Sequence, residues 1–265
     1  MPNENEIKAI FSLLQTESKH HKQLTDSLVK FYLQDPKLVY NLALEYFGVL
    51  PPFLIELFKK NQSGLEEISA YLKRKNPSLL DGLILLAKII NPKASEQEIL
   101  TLFNFAREEF DKVIDSSFEI SQKAQVLKNF FFDTMGFKTE PLAKNTALLN
   151  LPEVFTNLKT TPFMLGVIYL IFIYPYEVKS AVFEAENKVL VRLQDAFSLE
   201  TVYIDMTQKG NFVSEEDCYI YAADNSIKWN PQNIVPLNNS AIFKHLLSDL
   251  ISTSKDYAFL CAYLD

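Results

Sequence analysis

Through most of the first 115 positions, apolar residues recur three and four places apart. Leu24, Leu28 and Phe31 keep this spacing, as do Ile99, Phe103, Ala106, Phe110 and Val113. Residues so spaced share one face of an α-helix, so each run predicts an amphipathic helix with that face buried. Ser63-Gly64-Leu65-Glu66 and Ser95-Glu96-Gln97-Glu98 each set a serine three places before a glutamate. In that pattern the two side chains satisfy free backbone N–H groups at a helix start. Pro51-Pro52, Asn76-Pro77 and Asn91-Pro92 interrupt the runs, because the residue before a proline is pushed out of helical geometry. Short helices broken this often predict α-hairpins or a HEAT-like stack, without a strict period.

A further helical pattern over 120–137 ends at Met135-Gly136-Phe137, where Gly136 suits a helix C-cap. A polar connector, Lys138 to Asn145, leads to helices predicted at 147–158 and 162–174. Thr161 before Pro162 is a favoured helix start: the hydroxyl can accept a free N–H, and proline lacks one that would be orphaned anyway. The texture then changes. Residues 179–185, 188–194 and 201–206 are short, rich in β-branched side chains and separated by polar breaks, as antiparallel strands are. Ser214-Glu215-Glu216-Asp217 opens a short helix. Asn238 to Ser254 predicts the last long one, with Ile242, Phe243, Leu246, Leu247 and Leu250 on one side. The expected fold class is α+β, with an all-helical region over residues 1–117 and a mixed domain over 118–265.

Composition narrows the functions available. The chain has 265 residues, 48% hydrophobic and 22% charged, which is ordinary for a packed globular protein. Only 6 residues are glycine, and neither glycine-rich phosphate-binding pattern is present. Net charge is −7, with no long basic run, so a nucleic-acid partner is not expected. The acidic N-terminus lacks signal-peptide order. The most apolar run, Phe163 to Tyr176, is shorter than the roughly 20 residues that span a bilayer, so no membrane partner is expected either. Two cysteines, Cys218 and Cys261, make no disulfide framework, which predicts a reduced, cytoplasmic setting. Three scattered histidines and two distant cysteines lack metal-site spacing, so neither metal nor cofactor is expected. His245 has Asp249 one helical turn later, placed to orient the ring.

Several phrases resemble one bacterial branch of the transglutaminase-like superfamily. Its members are intracellular proteins with a helical N-terminal region before a degenerate core, invasion-gene regulators among them. Leu127 to Phe137 resembles the branch's leucine-asparagine to glycine-phenylalanine segment, and Leu148-Leu149-Asn150 a helix start. Lys159 to Leu170 is similar to its basic-glycine-x-proline helix. Val189-Leu190-Val191-Arg192 is similar to the strand after its proline-glycine-histidine, and Val202-Tyr203-Ile204-Asp205 to its isoleucine-aspartate stretch. The resemblance implies a papain- or transglutaminase-like core, helices packed on a small antiparallel sheet. It also implies where chemistry would sit. The positions are Thr160 and Thr161 at the helix start, Lys188 in place of histidine, and Asp205 in place of the acid. An active relative needs a thiolate at a helix N-terminus and a histidine oriented by an acid. Protonated lysine is no base near neutrality.

For Lys188 and Asp205 two readings stay open: an ion pair where a histidine–aspartate pair once stood, or two solvated strand residues. Three readings of function follow. The first is a non-enzymatic interaction or regulatory module with a protein partner, built on a degenerate scaffold. The second is an atypical hydrolase or acyl transferase using a threonine with Asp205. The third is a helical scaffold only.

Overall fold

The computed structural model describes residues 3–16, 21–61, 63–140, 145–185, 188–218, 237–254, 257, 260, 261, 263 and 264. The chain divides into two compact units, Met1–Lys75 with Leu250–Asp265, and Asn76–Asp249. The boundary expected at 117/118 falls inside the second unit.

Five helices make up most of the first unit: α1 (Glu4–Thr16), α2 (His21–Gln34), α3 (Pro36–Phe47), α4 (Pro52–Asn61) and α5 (Ser63–Leu72). The Ser63 side chain lies outside the described residues, so the capping box expected there does too. Ile7, Phe11, Leu28, Tyr32, Val39 and Leu54 form its dry centre. Asp35 starts α3 by accepting the Leu38 N–H at 2.9 Å, ahead of Pro36.

The second unit holds the predicted core. Helices α6 (Leu79–Ile90), α7 (Glu96–Asp111) and α8 (Ile120–Lys128) lead to a π-helix, Asn129–Thr134. The Ser95–Glu98 capping box forms in both directions at the start of α7. The sequence predicts one helix over 120–137, and the structure departs from this. The Met135 N–H reaches back five residues to the Phe130 carbonyl, and the Phe137 N–H bonds the Phe131 carbonyl. The added residue in the turn lets the consecutive Phe130 and Phe131 both face inward, where both are buried. Gly136, at φ +78°, then ends the segment in the left-handed region.

The single helix expected over 147–158 and the start of the expected polar connector also resolve differently, residues 141–144 of that connector lying outside the described residues. Lys138–Thr139 (β1) pairs in parallel with Lys159–Thr160 (β2). A 3₁₀ turn, Thr146–Leu149, precedes α9 (Leu151–Asn157). Next comes α10, Pro162–Ile173, which is apolar on all sides and buried at nearly every position. A helix of that kind belongs inside the domain. Arg107 of α7 finishes it, donating from Nη1 to the carbonyls of Ile171 and Phe172 at 3.2 and 2.9 Å. Its charge also suits the negative end of the helix dipole.

Four antiparallel strands follow in sequence order: β3 (Val178–Ala185), β4 (Lys188–Asp195), β5 (Thr201–Asp205) and β6 (Asn211–Val213). β6 is an addition to the predicted set. It is too short for a periodic signal and is turned into place by Gly210 at φ +68°. Helix α10 lies against one face of this sheet. A Cβ on Gly166 would meet Val182 Cγ2 at 2.8 Å and Val191 Cγ2 at 3.2 Å. Val182 and Val191 are cross-strand partners, so the absent side chain is what lets helix and sheet touch. The C-terminal helix, Asn239–Thr253, buries Ile242, Phe243, Leu246, Leu247 and Leu250, the side predicted for it. Among the described residues no helix is long and apolar enough to cross a membrane.

Candidate functional site

The start of α10 is built by local chemistry. Leu158, at φ +53°, ends α9 and turns the chain into β2. Thr161 then takes an extended conformation as the N-cap of α10, and its Oγ1 accepts the Met164 N–H at 3.1 Å. Thr160, fully buried, donates its hydroxyl to the Leu148 carbonyl at 2.8 Å. Both threonines are therefore tied to the backbone. A carbonyl cannot take a proton as a base does, so the Thr160 hydroxyl has no route to an alkoxide. Among the described residues no histidine or carboxylate accepts from Thr161 Oγ1. Nearby, Asn150 gives its Nδ2 to Glu153 at 2.9 Å. Its Oδ1 is buried without a hydrogen-bond partner, an arrangement that costs about 1–3 kcal/mol.

Lys188 opens β4, and Asp205 closes β5 opposite Leu190. The lysine Nζ lies 2.7 Å from Asp205 Oδ2, so of the two readings the ion pair is the one the structure contains. The aspartate side chain is almost wholly buried and the lysine side chain is 25% exposed. Asp205 Oδ1 is also occupied, accepting the Thr207 N–H at 2.8 Å and the Thr207 hydroxyl. In this way Asp205 caps the short turn Met206–Gln208. Both aspartate oxygens are taken up as acceptors in these bonds, and the lysine is a donor with no acceptor capacity.

The backbone brings these segments together, and the pleat turns their side chains apart. Thr139, the partner of Thr160 in the β1–β2 pair, donates its hydroxyl to the Met206 carbonyl at 3.2 Å. The residue after Asp205 is thus bonded to β1, the strand paired with the one that leads into α10. Side chains alternate along a strand. Val191 touches α10, so Lys188, Leu190 and Arg192 point away from it. Their partners Tyr203 and Asp205 point away too. On that far face Leu190, Tyr203 and Cys218 form a small core with Phe183 and Val213 against it. Burial pushes the Cys218 thiol up to about 12, and the carboxylates of Asp217, Glu215 and Asp205 add to the rise. A thiol held there is not a nucleophile near neutrality. Cys261 is exposed. His20 lies outside the described residues, and His21 is exposed at the start of α2.

The face of the sheet that carries α10 holds a group that sequence reasoning had treated only in part. The His245 ring lies over the Phe163 ring, with centroids 4.0 Å apart. Phe163 is the second residue of α10. The His245 Nε2 is 3.5 Å from Glu184 Oε1 on β3 and 3.8 Å from Asp249 Oδ1 on its own helix. Burial draws the His245 pKa down. The hydrogen bond to Glu184 and the charges of Asp249 and Glu184 outweigh it, and the net result is a raised pKa. Burial also pushes the Asp249 carboxyl up to about 6, opposed by the His245 charge and assisted by that of Glu184. One nitrogen facing two carboxylates is a donor arrangement. Among the described residues no group of three or more His, Cys, Asp and Glu side chains is placed to hold a metal ion. The Asp249 spacing was visible in the sequence. Glu184 and Phe163 lie far from His245 along the chain, and no local signal joins them.

Compared with known protein families, residues 94–248 match the transglutaminase-like superfamily. No curated protein and no solved structure matches the chain.

Proposed function

The chain belongs to the transglutaminase-like superfamily, and from that premise we propose that it is a non-enzymatic interaction or regulatory module on a degenerate form of the scaffold. Within the superfamily we assign it to the bacterial intracellular branch that has a helical N-terminal region. A cytoplasmic setting goes with this reading and suits a chain with a buried and an exposed free thiol.

One observation carries the proposal: at the start of α10 the available polar groups are spent on the fold. Thr161 caps its own helix, Thr160 bonds a carbonyl, and the Lys188–Asp205 pair projects from the far face of the sheet. Thiol acyl transfer needs a nucleophile, a proton acceptor and oriented donors around one reacting carbon. Here the only described buried thiol is held protonated on the far face. The alternative, a hydrolase or acyl transferase pairing a threonine with Asp205, meets the same geometry, because the aspartate side chain is directed away from both hydroxyls.

The test is an assay of the full chain against amide, ester and γ-glutamyl substrates, with Thr161→Ala and Asp205→Asn alongside. The expected result is no turnover above that of buffer in all three proteins. Turnover in the wild type that either variant abolishes, with its fold intact by circular dichroism, would sink the reading.

A further inference from the structure

The outward side of α7 is not closed as α10 is. A hollow of about 480 Å³ lies between α7, α8 and the π-helix. A second, of about 600 Å³, follows α7 toward its N-terminus, and Phe105 borders both. Together they run from Glu96 to Glu109, about 20 Å of helix axis at about 1.5 Å per residue. The floor of the first is apolar, with Phe105, Val113, Val126, Phe130 and Met135 in its lining. Phe105 is 61% exposed and Val113 51%. Large apolar side chains standing in water along one groove mark a surface that another chain covers.

The charge of the groove narrows the occupant. Glu96, Glu108 and Glu109 border the two hollows, and no lysine or arginine does. Lys88 and Lys112 pair with Glu96 and Glu109 from outside the lining, which leaves Glu108, one turn after Phe105 at the end of the second hollow, as the remaining anion among the described residues of the lining. The first hollow is walled by α7, α8 and the π-helix, and the second is bordered by α7 alone, so no strand edge offers main-chain hydrogen bonds to an extended peptide. Affinity must come from side chains inserted at helical spacing. We propose, resting on the interaction-module reading above, that this groove receives a basic amphipathic helix of a partner protein. That helix runs roughly four turns. Its apolar residues seat against Phe105 and Val113, and a lysine or arginine sits opposite Glu108.

The probe is a fluorescein-labelled synthetic peptide of roughly four helical turns. It carries leucines three and four apart and lysines on the flanks of that face. A second peptide replaces the lysines with glutamates, and a third scrambles the leucine spacing. Binding to the full chain is read by anisotropy. The basic peptide is expected to bind, to weaken with added salt, and to outbind both other peptides by about tenfold or more, equivalent to about 1.4 kcal/mol. Phe105→Asp is expected to weaken it about tenfold. Glu108→Lys is expected to weaken the basic peptide several-fold and to improve the acidic one. Both side chains are exposed, and an unchanged melting midpoint confirms the fold.

Binding that both variants leave untouched, or equal binding of the scrambled peptide, would overturn the proposal. So would a concentration-dependent dimer that Phe105→Asp dissolves, because the occupant is then a second copy. A native partner retained by the Phe105→Asp protein also overturns the groove while the module reading stands. Turnover at the start of α10 would remove the module reading whatever the peptides do.

Discussion

Helices α10 and α7 sit in the same unit and carry comparable aromatic content, yet one is sealed and the other half open. Helix α10 is buried on every side, pressed onto the sheet at Gly166 and capped at its far end by Arg107. Helix α7 buries Ile99, Phe103, Ala106 and Phe110 and leaves Leu102 and Phe105 in solvent. In a transglutaminase-like scaffold the start of the buried helix is where chemistry would be sought. Here that place is a structural joint, and the apolar surface still available lies on the neighbouring helix. A helix loses its freedom to act when each of its polar groups serves the fold.

Four substitutions or conditions sharpen this contrast. The largest effect belongs to Phe172→Ala in α10. Its ring meets Phe103, Phe110 and Phe131 edge-on, with centroids 4.9–5.4 Å apart. The loss should be about 3–5 kcal/mol in urea unfolding, and a loss under about 1 kcal/mol would mean that α10 is not the sealed element described. Gly166→Ala comes next. Alanine gains up to about 1 kcal/mol of helix propensity. The new Cβ would press on two β-branched valines that have little room to turn, costing about 1–3 kcal/mol. A net gain in stability would show that helix and sheet are not in the close contact described.

The third contrast is with pH. Asp249 and His245 both titrate at raised values when folded. Each therefore binds its proton more tightly in the folded chain than in the unfolded one. Their contribution to stability is complete in acid and falls as pH rises, through about 6 for Asp249 and then through the raised value of His245. The total loss is of the order of 1–3 kcal/mol. Asp249→Asn should flatten the lower part of the profile and His245→Gln the upper part. Midpoints of thermal unfolding between pH 5 and 8 read it, and variant profiles that follow the wild type throughout would count against the cluster. The smallest effect is expected at Phe105→Ser, within about 0.5 kcal/mol of the wild type. A larger cost would show that the groove side of α7 is part of the core.

Local rules carried most of the elements. The Ser95–Glu98 box, the Thr161–Pro162 start and the alternation in β3 to β5 all act within a few residues, so they are legible as strings. The Lys188–Asp205 pair was legible only through resemblance, which set two distant phrases on neighbouring strands. The π-turn at Asn129–Thr134 was not legible, because it answers the need to bury Phe130 and Phe131 together. Nor were the two-residue β1–β2 pair and β6, which are too short to have a period. His245 shows the same division inside one site. Asp249 lies one turn along its helix and could be found by counting, whereas Glu184 and Phe163 are supplied by a strand and a helix folded against it.

The amino-acid sequence by itself determined most of the helices, three of the four strands of the antiparallel sheet and the absence of a cysteine from the start of α10. These follow from spacing, capping and residue type, which operate over one or two turns. Only the tertiary structure decided that Thr160 and Thr161 are committed to backbone partners, that the Lys188–Asp205 pair turns away from α10, and that α7 keeps an open groove. The reason is that hydrogen-bond commitment, strand facing and exposure depend on which distant surfaces meet, and no local pattern encodes that choice.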